Sequence, residues 1–285
     1  MINYTIIIPH YNCPDLLNRL LDSIPQRMDL EIIVIDDNSF LDKRPKVCRN
    51  DVKVIQLQAE ESKGAGYARN VGIKHAVGEW LLFADSDDYY MNNFVNKLDD
   101  FKDSKYDIIF FDYDTNIIAK ESIFQNRLNQ MLQGGKRDRA NFKHSLNAPW
   151  NKMFRRKFIL DNNILFDEIP IHNDAYFVHK ASSLTDNFHY INDKLYFYEI
   201  NENGITRKKK RAVDDIKRSI TTTIKTDKLK AKSGAWDCIL LSISKQYKPD
   251  YGITFYYQQQ LRRVRHGLIW YMINKFICTR ILKHK

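Results

Sequence analysis

The sequence predicts an α/β fold in which a mainly parallel sheet is flanked by helices and followed by a helical C-terminal extension. Three observations predict it. Short runs rich in β-branched residues alternate with segments of helical periodicity through the first hundred residues. Polar clusters follow three of those runs, where strands of an open α/β sheet end and ligands bind. Beyond Asn201 the chain becomes basic, and its apolar residues recur at helical spacing.

Residues 4–8, 31–35, 53–57 and 79–84 read as buried strands, because each is short, apolar and bounded by polar or turn-forming residues. Between the first two, residues 14–24 place Leu16, Leu17, Leu20, Leu21 and Ile24 at helical spacing behind Pro14, whose fixed φ suits a first helical turn. A second helix is expected over 66–76. Strands and helices alternating at these lengths form βαβ units, hence a mainly parallel sheet covered on both faces. Residues 107–111 and 190–199 read as further strands and 121–132 as a helix, in a less regular pattern. The chain therefore divides at 1–106, 107–200 and 201–285: two halves of one domain, then a basic helical region.

The 285 residues, 44% apolar and 28% charged, suffice for a sizeable core. The first ten carry no basic cluster ahead of an apolar stretch, and Pro9 and Asp15 interrupt the run; this argues against a secretory signal and for a cytoplasmic location. No uncharged segment approaches the roughly 20 apolar residues that span a bilayer, and the best candidate, 267–274, is far too short. Cys13, Cys48, Cys238 and Cys278 form neither a CxxC pair nor a zinc-like spacing with histidine, so they read as reduced thiols. A net charge of +10 and a pI near 9.2 imply an anionic partner, whether nucleic acid, acidic lipid or a phosphorylated substrate.

Asp85-Ser86-Asp87-Asp88 follows the apolar run 80–84, which crowds mutually repelling carboxylates at the end of a strand expected to be buried. A divalent cation relieves that repulsion: Mg²⁺ and Mn²⁺ prefer oxygen ligands and combine one or two carboxylates with substrate phosphates. The alternative is a solvated acidic turn capping the next helix. Asp36-Asp37-Asn38-Ser39 either caps a helix or hydrogen-bonds a base or ribose. Gly64-Ala65-Gly66 is either a helix N-terminus approaching phosphate or a place of tight packing, and Arg69 either a fixed cation for a nucleotide or an exposed helix arginine. Asp174 taken alone reads as a helix-start acid.

The order and spacing of these pieces carry a resemblance. Ile6-Ile7-Ile8-Pro9-His10-Tyr11-Asn12, then Val34-Ile35-Asp36-Asp37-Asn38-Ser39, then residues 66–70, then Gly78-Glu79-Trp80 leading to Asp85-Ser86-Asp87-Asp88, closely resembles family 2 glycosyltransferases of the GT-A fold. Pro149-Trp150-Asn151-Lys152-Met153-Phe154-Arg155-Arg156 resembles that family's WNK-(aromatic)-RR segment, and Asn173-Asp174-Ala175-Tyr176-Phe177 its ED-x-x-F segment. The likeness covers roughly 200 residues.

The resemblance implies the nucleotide-diphospho-sugar transferase fold, with 1–106 as the donor-binding half and 107–200 as the acceptor-binding half. It implies that Pro9, Tyr11, Asp37 and Arg69 embrace the uridine of a UDP-sugar, that Asp85 contacts its ribose or sugar, and that Asp87 binds Mn²⁺ or Mg²⁺. Asp174 would be the catalytic base; Asn173 stands where many relatives carry Glu, leaving Asp174 as the carboxylate of that pair. The implied reaction is a single displacement with inversion, in which Asp174 takes the acceptor's proton and the metal neutralises charge on the departing diphosphate. The expected substrates are a hexose-type donor and a glycan or lipid-linked acceptor of bacterial surface polysaccharide or lipopolysaccharide synthesis. Processive members carry a glutamine-x-x-arginine-tryptophan motif; here Gln259-Gln260-Leu261-Arg262 is followed by Arg263, so one sugar per acceptor is expected.

In residues 258–285, Leu261, Val264, Leu268, Met272 and Phe276 recur at helical spacing among seven basic residues, Arg262 and Lys285 at the extremes. This segment is either a helix lying on an anionic membrane, at the inner face of the cytoplasmic membrane, or a terminal helix packed on the domain with a solvated basic face. Nucleic acid is not expected as a partner, because no recognised motif accompanies the charge. Two other functions are compatible with an α/β sheet. A sugar-phosphate nucleotidyltransferase would want a glycine-rich basic loop where Pro9-His10-Tyr11-Asn12 stands, and a catalytically silent nucleotide- or membrane-binding module would bind without turnover.

Overall fold

The computed structural model describes residues 1–58, 61–116, 123–200, 212–238, 252–256 and 258. Apolar alternation builds its centre. Ile6 and Ile8 face one side of β1 (Tyr4–His10) and Ile7 the other, all fully buried, so that sheet faces are distributed between two helical layers. Burial of such an isoleucine contributes about 1.5–3 kcal/mol. On the first face lies α1 (Pro14–Asp22), its Leu17, Leu20 and Leu21 packed against Ile6, Ile8, β2 (Leu30–Asp36) and α3 (Phe94–Asp99). The second face holds α2 (Ala65–His75) and α7 (Ala175–Leu184), where Ala68, Ile73, Phe177 and Val178 pack on Ile7, Ile33 and Phe83.

The remaining elements are β3 (Val52–Gln56), β4 (Trp80–Phe83), β5 (Tyr89–Tyr90), β6 (Ile108–Thr115), α4 (Ile123–Gln133), α5 (Lys136–Lys143), β7 (Lys152–Arg155), α6 (Arg156–Asp161), β8 (Phe188–Tyr198) and α8 (Val213–Lys232). Among the described residues eight strands form one sheet in the order β3-β2-β1-β4-β7-β6-β8-β5, in which only β5 of residues 1–106 lies beyond the strands of 107–200. The first four are parallel and in register, with Ile7 between Ile33 and Phe83. β6 and β8 are also parallel, but β7 runs antiparallel to β4 and β6, and β5 antiparallel to β8, which makes the sheet mixed. Between β6 and β7 lie two helices, α4 and α5, joined at Gly134-Gly135.

β3 departs from the expectation of a buried strand. It lies at the sheet's edge and, among the described residues, pairs only with β2; Lys53 and Val54 are exposed, Val54 by 42%. α8 packs along α7. Among the described residues no helix is long and apolar enough to cross a membrane. Cys13 and Cys48 are free thiols. Beyond residue 258, the basic segment 258–285 lies outside the described residues, as does Gln259-Gln260-Leu261-Arg262.

Candidate functional site

Because β2, β1 and β4 are adjacent and parallel, the polar clusters that follow them meet at one edge. The strand β1 continues through Pro9 to His10, and the Pro9 carbonyl accepts a hydrogen bond from Ser86 Oγ at 2.5 Å, tying the first cluster to the third. His10 is buried: its Nδ1 lies 3.0 Å from Asp36 Oδ1 and 3.3 Å from Ser39 Oγ, and its Nε2 accepts from the Cys13 amide at 3.3 Å. Asp36 and Ser39 are thus fasteners between strand ends. Tyr11 is half-exposed beside them. Asp37, also buried, accepts from Ser62 Oγ at 2.5 Å and from the amides of Lys63 and Gly64 at 2.8 and 2.7 Å, so its carboxylate fixes the loop entering α2.

Arg69 is buried rather than an exposed helix arginine. Its Nη2 donates to Asp85 Oδ1, its Nη1 donates to Asn173 Oδ1 at 2.8 Å, and the guanidinium lies 5.3 Å from the Phe166 ring centroid. The neighbouring glycine records tight packing: a Cβ on Gly66 would stand 2.2 Å from the Asp167 carbonyl oxygen.

In the acidic loop, Asp85 donates its amide to Tyr196 Oη at 3.0 Å, and Tyr196 donates to Asp88 Oδ2 at 2.8 Å. The Glu199 amide donates to Asp88 Oδ1 at 2.8 Å. Asp88 is therefore neither solvated nor a helix cap; fully buried, and beside Asp85 and Asp87, its carboxyl is pushed up to about 9. Burial, and then the charge of Asp85, raise Asp87 to about 6, with Arg19 opposing. Arg19 Nη2 donates to the Asp87 carbonyl at 2.5 Å, while its Nη1 pairs with Glu199 at 2.5 Å. A cation beside Asp87 suits this donor set, since hard oxygen ligands are offered and the carboxylate forms no ion pair among the described residues. No three His, Cys, Asp or Glu side chains among those residues converge to hold an ion by themselves, so phosphate or water oxygens would have to complete its shell.

Asp174 opens α7 without a side-chain capping hydrogen bond, so it does not act as the helix cap that its position suggests. Burial raises its carboxyl to about 6; Arg69 opposes the rise and Asp85 adds to it. A carboxylate so placed is ionised at neutral pH yet a stronger base than one in water. Beside it on β7, Lys152 is buried, donating to the Ala148 carbonyl at 2.7 Å and to Asn151 Oδ1 at 2.5 Å; burial lowers its ammonium to about 7 and the charge of Asp174 works against that. Arg69 and Asn173 thus bring α2, the acidic loop and the start of α7 together, while Tyr11 and Asp37 stand on the β1–β2 side. Sequence reasoning missed Tyr196 and Arg19 and gave Lys152 no role. Only the WNK segment signalled any of the three.

The family model described as Glycosyl transferase family 2 matches residues 5–161. Among curated relatives, the poly(ribitol-phosphate) beta-N-acetylglucosaminyltransferase TarS of Staphylococcus aureus is 29% identical over 217 residues, 72% of this chain and 36% of that protein. The Escherichia coli UDP-Glc:alpha-D-GlcNAc-diphosphoundecaprenol beta-1,3-glucosyltransferase WfaP is 31% identical over 122 residues, 42% of this chain and 48% of that one. The chain spans only 36% of TarS's length. Residues 1–349 of TarS, solved with UDP-GlcNAc, superpose with a TM-score of 0.64 at 21% identity, covering 87% of this chain and 78% of that one. The mannosyltransferase PcManGT of Pyrobaculum calidifontis, solved with GDP-Man and Mn²⁺, gives 0.52 at 15% identity, covering 97% and 86%.

Proposed function

The chain belongs to glycosyl transferase family 2 and is a glycosyltransferase of GT-A fold; from that premise we propose an inverting, metal-dependent, nonprocessive enzyme that moves a hexose-type sugar from a UDP-sugar to a glycan or lipid-linked acceptor. The observation that carries this reading is Asp174: a carboxylate raised to about 6, electrostatically coupled to the Arg69–Asp85 pair at the ends of the parallel strands. The names of the relatives support it, since TarS was solved with UDP-GlcNAc and WfaP is named for a UDP-Glc donor and a diphosphoundecaprenol acceptor. Bacterial surface polysaccharide synthesis at the inner face of the cytoplasmic membrane fits such substrates.

In this reading Pro9, Tyr11, Asp37 and Arg69 surround the uridine, with Asp37 acting through the loop it fixes, and Asp85 meets the ribose or sugar. Asp87 holds Mn²⁺ or Mg²⁺, which when bound neutralises negative charge on the diphosphate. The acceptor oxygen attacks the anomeric carbon, the bond from that carbon to the diphosphate oxygen breaks, and the acceptor proton passes to the Asp174 carboxylate. A nucleotidyltransferase is disfavoured because only Tyr11, Asn12 and Cys13 separate β1 from α1, which leaves no room for a glycine-rich phosphate loop.

The test is a screen of UDP-sugars for hydrolysis and transfer, with Mn²⁺ and with chelator. Asp174→Asn is expected to lower turnover by about 10²–10⁴-fold, the usual worth of a general base, with UDP binding nearly intact. Unchanged transfer removes Asp174 as base; activity undiminished by chelation removes the metal at Asp87; no turnover with any donor favours a silent binding module.

A further inference from the structure

The family match ends at residue 161, yet the loop that delivers Asp174 is gripped by a helix that begins only at Val213. Residues 167–173 form a closed clasp, in which the Asp167 amide donates to the Asn173 carbonyl at 3.1 Å. Inside the clasp His172 holds a left-handed φ of 58°, an uncommon conformation for a non-glycine residue. On one side the clasp rests on α2. Asn70 donates to the Phe166 carbonyl at 3.0 Å and accepts the Phe166 amide at 2.9 Å, the Asp167 carbonyl lies against Gly66, and Arg69 donates to Asn173.

On the other side stands α8. The Thr222 hydroxyl, 2% exposed, donates to Asp167 Oδ2 at 2.5 Å; Ser219 Oγ lies 2.7 Å from His172 Nδ1; Lys225 Nζ is 3.5 Å from Asp167 Oδ1. Simple packing would be served by an apolar inner face, but the buried side of α8 carries Ser219, Thr222, Thr226, Asp227 and Lys230 among its isoleucines. Two of these hydroxyls meet the clasp, Thr222 at Asp167 and Ser219 at His172. Asp174 makes no side-chain capping bond, and the groups acting on its carboxyl include the backbone amides of Asp174 and Ala175, at the end of the clasp.

We propose that α8 positions the catalytic base, with Thr222 and Ser219 holding the 167–173 clasp so that Asp174 meets the acceptor hydroxyl. The inference rests on Asp174 being the base and gives a helix outside the family match a part in catalysis. Thr222 and Ser219 are positioning residues: they touch neither substrate nor reacting atoms.

The experiment uses the full chain with Thr222→Val, the double variant Ser219→Ala/Thr222→Val, and Thr222→Ser, which keeps the hydroxyl. Hydrogen–deuterium exchange at the Asp167 amide reads the clasp without any substrate. Calorimetric titration with UDP and Mn²⁺ reads the donor side, and turnover with UDP-glucose and UDP-GlcNAc reads the base. The double variant is expected to exchange at Asp167 at least about 10-fold faster and to lose about 10-fold or more in kcat, with UDP affinity within about threefold, because small misplacements of a reacting group are costly to the rate. Thr222→Ser is expected to restore both. Unchanged exchange and unchanged kcat in the folded double variant overturn the proposal, as does a loss of kcat that Thr222→Ser fails to restore. An inactive Asp174→Asn beside a fully active double variant sinks this inference alone, whereas an active Asp174→Asn sinks the function on which it rests.

Discussion

Tyr196→Phe isolates the contribution of one hydroxyl to the acidic loop. That hydroxyl accepts the Asp85 amide at 3.0 Å and donates to Asp88 at 2.8 Å, in a residue without solvent exposure. The ring itself should stay, since it stacks on Trp150 with centroids 5.0 Å apart and meets Tyr90 edge-on at 5.2 Å. The change therefore removes two buried hydrogen bonds and leaves the carboxyl of Asp88 with the Glu199 amide. An unsatisfied buried group costs about 1–3 kcal/mol, so a loss of about 3 kcal/mol is expected after the loop relaxes. For a chain of this size that lowers Tm by about 6–12 °C. Thermal unfolding of parent and variant measures it, and UDP titration with Mn²⁺ should weaken in parallel, because Asp85 and Asp87 sit on the loosened turn. A shift in Tm under about 2 °C would show that the hydroxyl does not anchor the loop, and the account of Asp88 below would fall with it.

Gly66→Ala sets a methyl group 2.2 Å from the Asp167 carbonyl, and overpacking of this kind should cost about 1–3 kcal/mol in urea unfolding while pushing Asn173 away from Arg69. Parental stability would place the close approach in doubt. Asp87 must lose its proton to hold a cation, so Mn²⁺-dependent UDP binding should weaken as the pH falls through about 6, by about 10-fold at pH 5; equal affinities in calorimetry at pH 5 and 7.5 exclude Asp87 as the ligand. Asp88 is raised from 3.8 to about 9, so the native state keeps a proton that the unfolded chain has released. Its contribution to stability is full below about pH 4 and declines as the pH rises to about 9. Asp88→Asn removes that ionisation, and its chemical-denaturation midpoint should fall less than the parent's between about pH 6 and 9; equal slopes refute the assignment.

The parts of the fold legible in the sequence are those whose pattern is local. β1, β2, β4, α1 and α2 announce themselves because Ile6 to Ile8, Ile32 to Ile35 and Leu16 to Leu21 carry their period within a few residues. Nothing local says that β3 lies at an edge, because its run matches that of a central strand. The charged helix α5 was hidden because Lys136, Arg137, Asp138 and Arg139 precede its few buried residues, and β7 because four residues inside a recognised motif show no alternation. With α5 and β7 unread, the switch to antiparallel pairing was unreadable too. Around the candidate site, the acidic cluster was visible as residue types at a strand end, whereas Asp174 stood out only through the resemblance of residues 173–177 to a family segment. The hydroxyl that orders Asp85 and Asp88 comes from Tyr196, 108 residues beyond Asp88, and no periodicity reaches that far.

That distant partner explains how three carboxylates share one turn. They cannot all be ionised there without compensation, and each is dealt with differently. Asp85 is held by the guanidinium of Arg69, which the start of α2 has buried and Asn173 has oriented. Asp88 keeps its proton, because β8 closes over it and supplies Tyr196 and the Glu199 amide in place of water. Asp87 has neither solution: its carboxyl titrates at about 6, Arg19 spends one nitrogen on its carbonyl and another on Glu199, and no ion pair reaches the side chain among the described residues. The carboxylate left in that condition is the one whose ionised form gains most from a divalent cation. With Asp85 paired to Arg69 and the carboxyl of Asp88 raised by burial, Asp87 is the member of the turn to which a divalent cation would add most, which is the argument for the metal role proposed for it.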